Sequence, residues 1–322
     1  MSAATAPGGK QPCDLLIVGG FVLTMDDSRT VYPDGAIAVT AGRIVAVGPS
    51  RAIEEAWIAP RRIDAGGGIV HPGYIDGHYH AGLHLCRGSI PDAPGGGTGV
   101  FKRWINAITE EDEYASALLA SAELARNGFT GFVDAGTSFY PDAIAAAVDA
   151  VGIRASLADC MLWDTIGTET LAGEVERAPN DRARSLRELG GQLKRNRDSD
   201  ARVRGHVALY GSGSGTDELM REAKALADRE GVMYHQHQSL TKEEADYDRQ
   251  RFGKPALLHY AEQGLIGPNS AFTHMNVLDE AEIEAIAASG MALVWHPGNF
   301  MYYGISQTGR SVRYDQDNTR LQ

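Results

Sequence analysis

The sequence predicts an α/β fold: a small N-terminal β part, then a parallel-strand barrel of the (β/α)8 TIM type that lacks its eighth strand. Three observations carry this. Residues 14–70 hold short apolar runs separated by turn residues, and from Gly73 onward apolar strand-like runs alternate with longer amphipathic segments. Several of those later runs also end in histidine. Strands alternating with helices imply a parallel sheet, open or closed. Reactive residues at the C-terminal ends of many different strands favour the closed form, because an open sheet concentrates its site at one switch point.

The 322 residues, 43% of them hydrophobic, suffice for one large domain or for a large domain with a small companion. Forty-two acidic against 30 basic residues leave a formal charge of -12, which argues against a nucleic-acid surface and for a small-molecule ligand. Cys13, Cys86 and Cys160 form no C-x-x-C pair and suit a reducing compartment. The N-terminus has no apolar core, and no run approaches the roughly 20 apolar residues of a membrane span. A cytoplasmic protein with neither a membrane nor a nucleic-acid partner is expected.

In chain order, residues 1–13 are small and polar and read as disordered. Residues 14–70 read as a β-sandwich part with strands Leu15–Val18, Phe21–Met25, Ala36–Thr40 and Arg43–Val47, and turns at Gly19-Gly20 and Ala41-Gly42. Residues 71–303 read as the barrel. Its strand candidates are Tyr74–His80, Gly131–Asp134, Ile153–Ala158, Val203–Tyr210, Val232–His237, Ala271–His274 and Ala292–His296. The Ala, Leu and Glu content of Glu110–Asn127, Thr216–Glu230 and Asp279–Ser289 favours helix. Gly128 and Gly136 suit a helix end and a turn. Gly95-Gly96-Gly97 reads as a mobile loop, with a lid as its functional version. Residues 304–322 form a polar tail without an apolar strand, so the eighth strand and the returning half of the sandwich are expected to be missing. The open edge that results makes self-association plausible.

Side chains at i and i+2 of a strand share one face, so His78 and His80 can present two imidazoles to one metal. A second H-x-H, His235-Gln236-His237, closes a later strand, and His274 closes the next. His235 and His237 need not both be ligands, and His206, in mid-strand, reads as a hydrogen-bonded lining residue. Imidazoles converging at strand ends favour a transition ion, zinc first and then iron or manganese, over calcium or magnesium.

With these residues in view the sequence resembles the amidohydrolase superfamily, and within it the aminohydrolases that include cytosine, guanine and triazine deaminases and chlorohydrolases. The resemblance runs from about Asp14 to Tyr303. It rests on Asp14 to Gly20, Asp34 to Val39, Gly42 to Gly48 and above all His71 to His80. Arg87-Gly88, Ala125 to Asp134, His237, His274-Met275-Asn276 and Trp295 to Asn299 continue it. It implies a metal barrel flanked by a β-sandwich built from both chain ends. His78, His80, His237 and His274 would bind one divalent ion, and an aspartate of the eighth strand would complete the site. The fourth-strand candidate carries no lysine, so a carboxylated-lysine bridge to a second metal is not implied. The implied chemistry is hydrolytic: metal-activated water attacks a ring carbon bearing an amino group or other leaving group, and a nearby acid protonates the leaving nitrogen.

Two departures matter. Many of these deaminases place a glutamate three residues after the fifth-strand histidine, whereas this chain has Leu240; Glu243 and Glu244 follow and read as the start of a solvent-facing helix. The only late aspartates, Asp315 and Asp317, follow no apolar run. The expected catalytic groups are His274 and His296, with His84, Arg87, Trp295 and Asn299 as substrate contacts. Arg87 has an ion-pair partner, and Trp295 core packing, as the structural alternative. Asp76 reads as an orienting group beside a ligand. The leading expectation is a metal-dependent hydrolase of a C–N or C–halogen bond in a small nitrogen heterocycle. Ring opening of a cyclic amide or imidazolone, and a truncated metal-binding chain without turnover, are the alternatives.

Overall fold

The structure, a computed structural model, describes residues 9–89, 97–168 and 175–296. It separates into two units, residues 1–73 and 74–322, close to the expected division after residue 70. In the first unit, β1 (Gln11–Pro12) pairs in parallel with β5 (Trp57–Ile58), and the Cys13 amide donates to the Ile58 carbonyl at 2.9 Å. Residues 9–13 are thus ordered, contrary to expectation. The reason is Cys13, whose buried side chain packs with Leu16, Val18, Ala36, Ala38 and Ile53 and anchors the segment.

The main sheet of this unit has the order β4 (Arg43–Pro49), β3 (Val31–Thr40), β2 (Leu15–Leu23), β6 (Arg61–Asp64), with β7 (Ile69–Val70) also paired to β2. β2, β3 and β4 are antiparallel neighbours, while β6 and β7 run parallel to β2. Gly19-Gly20 is no turn: β2 continues through it with a register shift, and Gly19 takes φ +64°, a conformation that costs glycine little. Helix α1 (Ser50–Ala56) contributes Ile53 to the core, whereas Ile44, Val45, Val47 and Ile63 are exposed.

In the second unit, β8 (Tyr74–Tyr79), β9 (Phe129–Asp134), β10 (Arg154–Leu157) and β11 (Val203–Gly205) form one parallel sheet. β12 (Val207–Gly211), β13 (Tyr234–Gln238), β14 (Ser270–His274) and β15 (Ala292–Val294) form another. β11 and β12 are one strand interrupted at His206. The His206 amide donates to Leu157 at 2.9 Å and the Val207 amide to Met233 at 3.1 Å, which joins the two sheets. The strands therefore lie side by side in chain order, the singly wound arrangement of a barrel and not the reversal of an open doubly wound sheet.

Between the strands run α2 (Gly97–Ala107), α3 (Glu110–Arg126), α4 (Pro141–Val151), α5 (Arg182–Glu188), α6 (Asp217–Glu230), α7 (Lys242–Phe252), α8 (Ala256–Glu262) and α9 (Glu280–Ser289). Capping boxes start α3 (Thr109 with Asp112) and α9 (Asp279 with Glu282), satisfying amides that a helix start leaves open. The apolar faces of α6, α8 and α9 bury Leu219, Tyr260 and Ile286 with Tyr234 and Phe272 of the sheet. The three cysteines are free. No helix among the described residues is long and apolar enough to cross a membrane. Asn299, Gly95 and Gly96, and the tail with Asp315 and Asp317, lie outside the described residues.

Candidate metal centre

Alternation along β8 sends His78 and Tyr79 to opposite faces. His78 is 1% exposed, and its Nε2 lies 3.2 Å from Nε2 of His80, the residue that follows the strand. On β13 the same alternation separates His235 and His237 from Tyr234, Gln236 and Gln238, which are joined by hydrogen bonds of 2.6 and 3.1 Å. One ring nitrogen each of His78, His80 and His237 falls within 4.8 Å of the others. His274 ends β14 with its ring centroid 5.4 Å from that of His237 and 5.5 Å from that of His78. His296, just past β15, stands 5.7 Å from His78 by the same measure.

The backbone at these strand ends is held under strain. Ser212, Ser239, His274 and Met275 all have positive φ, between 49° and 75°, which non-glycine residues adopt at a cost. Hydrogen bonds hold them there: Ser212 N to His237 O (3.0 Å), Met275 N to Gln238 O (2.8 Å) and Asn276 N to Ser239 O (2.9 Å). The ends of β12, β13 and β14 are thus tied together beyond their ladders, which gives the histidines a rigid base.

Ring orientation is held as well. His237 Nδ1 donates to the Tyr210 carbonyl at 2.6 Å, which leaves its Nε2 lone pair open. His80 Nδ1 lies 2.8 Å from Thr137 Oγ1, and Thr137 is 1% exposed. Burial, reinforced by the field of His237, pushes the His80 imidazolium equilibrium down to about 3. Burial likewise takes His237 down to about 4, and it holds His78, His235 and His274 well below the ordinary histidine range, with neighbouring imidazoles adding to the shift. These rings are neutral at pH 7. Neutral imidazole nitrogens are the donors that a borderline cation takes, and ligands of a tetrahedral zinc stand about 3.4 Å apart. Three such nitrogens, mutually close with no carboxylate in the group and with His78 and His237 buried, fit that ion.

Other residues singled out from the sequence fall differently. Glu244 spends its carboxylate on the amides of Ser239 (2.7 Å) and Leu240 (2.9 Å), so it pins the loop after β13. His84 bonds Tyr79 Oη at 2.8 Å and Glu123 at 3.0 Å, while Arg87 forks onto Glu123 at 2.5 and 2.6 Å. That network lies on the Tyr79 side of β8, so the ion-pair alternative describes Arg87 here. Asp76 accepts from the His78 amide at 3.0 Å, as an orienting group should. His206 bonds Ser156 through Nδ1 at 3.0 Å, and Trp295 is half-buried at the end of β15. Thr137 and the Tyr210 carbonyl carry no local signal as ring holders, because each is distant in the chain from the histidine it meets.

A model of the amidohydrolase family matches residues 69–297, a span that takes in every histidine of the cluster. The chain belongs to the amidohydrolase family. Among amidohydrolase relatives, a 5-methylthioadenosine/S-adenosylhomocysteine deaminase of Nitratidesulfovibrio vulgaris (strain Miyazaki F) is 30% identical over 299 residues, covering 90% of this chain and 64% of the relative. A 5'-deoxyadenosine deaminase of Methanosarcina mazei is 28% identical over 297 residues, 88% of this chain and 62% of its own. The crystal structure of an adenosine deaminase from Xanthomonas campestris with bound zinc superposes with a TM-score of 0.78 at 25% identity, over 92% of this chain and 65% of that one. An atrazine chlorohydrolase from Arthrobacter aurescens TC1 complexed with zinc shares the fold, with a TM-score of 0.74 at 22% identity, over 90% of this chain and 67% of that one. The chain thus spans 64% of the length of the first relative.

Proposed function

We propose that the chain is a metal-dependent aminohydrolase that removes an amino group from a ring carbon of a small nitrogen heterocycle, with adenine nucleosides as the substrate class. The observation that carries this is the group of His78, His80 and His237, whose ligand nitrogens lie within 4.8 Å of one another. Similarity to deaminases of adenosine derivatives supports the nucleoside class over ring opening of a cyclic amide. Zinc is the ion that the imidazole donors and the zinc-bound structural neighbour favour.

His78, His80 and His237 would hold the ion, with His274 at their side. Bound there, zinc would bring the pKa of a coordinated water toward 7 and so supply hydroxide at neutral pH. The chain's own groups must then manage the leaving nitrogen. With leucine at 240 and Glu244 committed to backbone amides, we assign that proton to His296. Its Nδ1 is buried without a hydrogen-bond partner among the described residues, and Asp76 opposes the downward pull of burial on its pKa. Trp295 beside it offers an apolar surface to a flat ring.

The test is ammonia release by the zinc-loaded chain from adenosine, 5'-deoxyadenosine and 5'-methylthioadenosine, with halogenated triazines as the contrast panel. We expect turnover of at least one nucleoside that is lost in His78→Ala, and a loss of kcat exceeding any change in KM in His296→Gln. Zinc-loaded protein that releases neither ammonia nor halide would overturn the reading.

A further inference from the structure

His235 is the member of the second H-x-H that stands outside the ligand group, yet it is 0% exposed and touches the group directly. Its Nδ1 faces the carbonyl oxygen of Ala271 on β14, and its Nε2 lies 2.9 Å from Nδ1 of His78 on β8. A carbonyl oxygen only accepts, so His235 Nδ1 must carry a proton. The ring is 0% exposed and its hydrogen-bond partners among the described residues are a carbonyl and another imidazole, so no anion is there to hold a second proton, and its Nε2 is a bare lone pair. A bare lone pair at 2.9 Å requires that His78 Nδ1 carry its proton as well. His78 Nε2 is left bare, 3.2 Å from His80 Nε2.

We infer that His235 is a positioning residue: it reads the Ala271 carbonyl and fixes His78 as the Nδ1–H tautomer, so that the His78 Nε2 lone pair is aimed at the metal. The chain Ala271–His235–His78 crosses from β14 through β13 to β8, and it converts one backbone carbonyl into the protonation state of a ligand on another strand. Outer partners of this kind fix ring orientation and raise ligand basicity. The inference rests on the reading of His78 as a metal ligand, and it assigns His235 a task distinct from that of His237 two residues later.

The experiment uses the full chain. Zinc affinity is measured by chelator competition for wild type, His235→Phe and His235→Gln. Phenylalanine keeps the ring volume and abolishes both hydrogen bonds, so affinity should fall about 10- to 100-fold. Glutamine can accept from His78 and donate to Ala271, so it should recover most of that loss. Equal affinity in wild type and His235→Phe overturns the inference.

Should His235→Phe fail to fold, long-range 15N–1H spectra of metal-free wild type decide, with His78 assigned by its absence from His78→Gln. A proton on His78 Nδ1 supports the inference, and a proton on Nε2 overturns it. A wild type that binds no zinc while His78 still carries its proton on Nδ1 overturns the metal reading and leaves the tautomer assignment standing, so the two failures are distinguishable.

Discussion

Two histidine environments lie a few residues apart on either side of β8. On one side His78 and His80 meet His237 with no carboxylate in the group. On the other, His84 sits between Tyr79 and Glu123, with Arg87 forked onto the same carboxylate, and the Arg87 hydrogen bonds hold Glu123 down to about 2. The outer cluster carries its own anion, the Glu123 carboxylate, which accepts from both His84 and Arg87. The inner one gathers imidazole nitrogens within 4.8 Å of one another with no anion among them, an arrangement that a cation would complete. Histidine content alone therefore marks no site; what separates the two clusters is whether the negative partner is already present in the chain.

The largest effect that tests this contrast is metal linkage. Zinc at about 1,000 times its Kd should raise the unfolding free energy by about 4 kcal/mol, read as an upward shift in Tm. In His237→Ala that shift should vanish. A zinc-dependent shift that survives the substitution would place the ion elsewhere.

Next in size is an acid effect. Burial pushes His206 down to about 4 in the folded chain, against about 6.5 when unfolded. A depressed histidine pKa means that the unfolded chain takes up the proton first, so this contribution is complete above about pH 6.5 and is lost as the pH falls toward 4. The difference of about 2.5 pKa units corresponds to roughly 3 kcal/mol. Asp134, raised to about 7 by burial, and Glu282, also about 7, act in the opposite sense. The comparison of interest is therefore metal-free wild type against His206→Gln in urea titrations at several pH values. The variant should lose stability less steeply between pH 6.5 and 4, and parallel curves would contradict the assignment.

Thr137→Val should cost less. It removes the hydroxyl that His80 Nδ1 meets at 2.8 Å while keeping shape, and zinc affinity should drop about 10-fold. An unchanged affinity would show that packing alone orients His80. Smallest of all, Glu123→Gln should leave zinc affinity unchanged and move Tm only slightly, since exposed ion pairs contribute little. If it weakened zinc as much as Thr137→Val does, the outer cluster would belong to the site after all.

Much of this was legible in the chain. The strand candidates from Tyr74 to His296 coincide with β8 to β15, because buried parallel strands are short apolar runs and the helices between them carry their own period and caps. The pairing of His78 with His80 follows from their i, i+2 spacing at the end of β8. Gly19-Gly20 misled: glycine marks both turns and bulges, and only the pairing of β2 with β3 distinguishes them. His84 and Arg87 misled for a related reason, since their sequence position beside the first strand says nothing about Glu123 on α3, 36 residues beyond Arg87.

The sequence by itself determined the two-part organisation, the strand order and the set of histidines, because period, turn chemistry and spacing are local properties. Only the tertiary structure decided which imidazoles meet. His237 faces His78 and His80, His235 instead bonds His78 and the Ala271 carbonyl, and Glu244 is committed to the amides of Ser239 and Leu240. Those partners lie tens to more than a hundred residues apart in the chain for every case except Glu244. Their protonation depends on burial that no local pattern encodes, and closure of the strands around a common interior is the physical step that creates it.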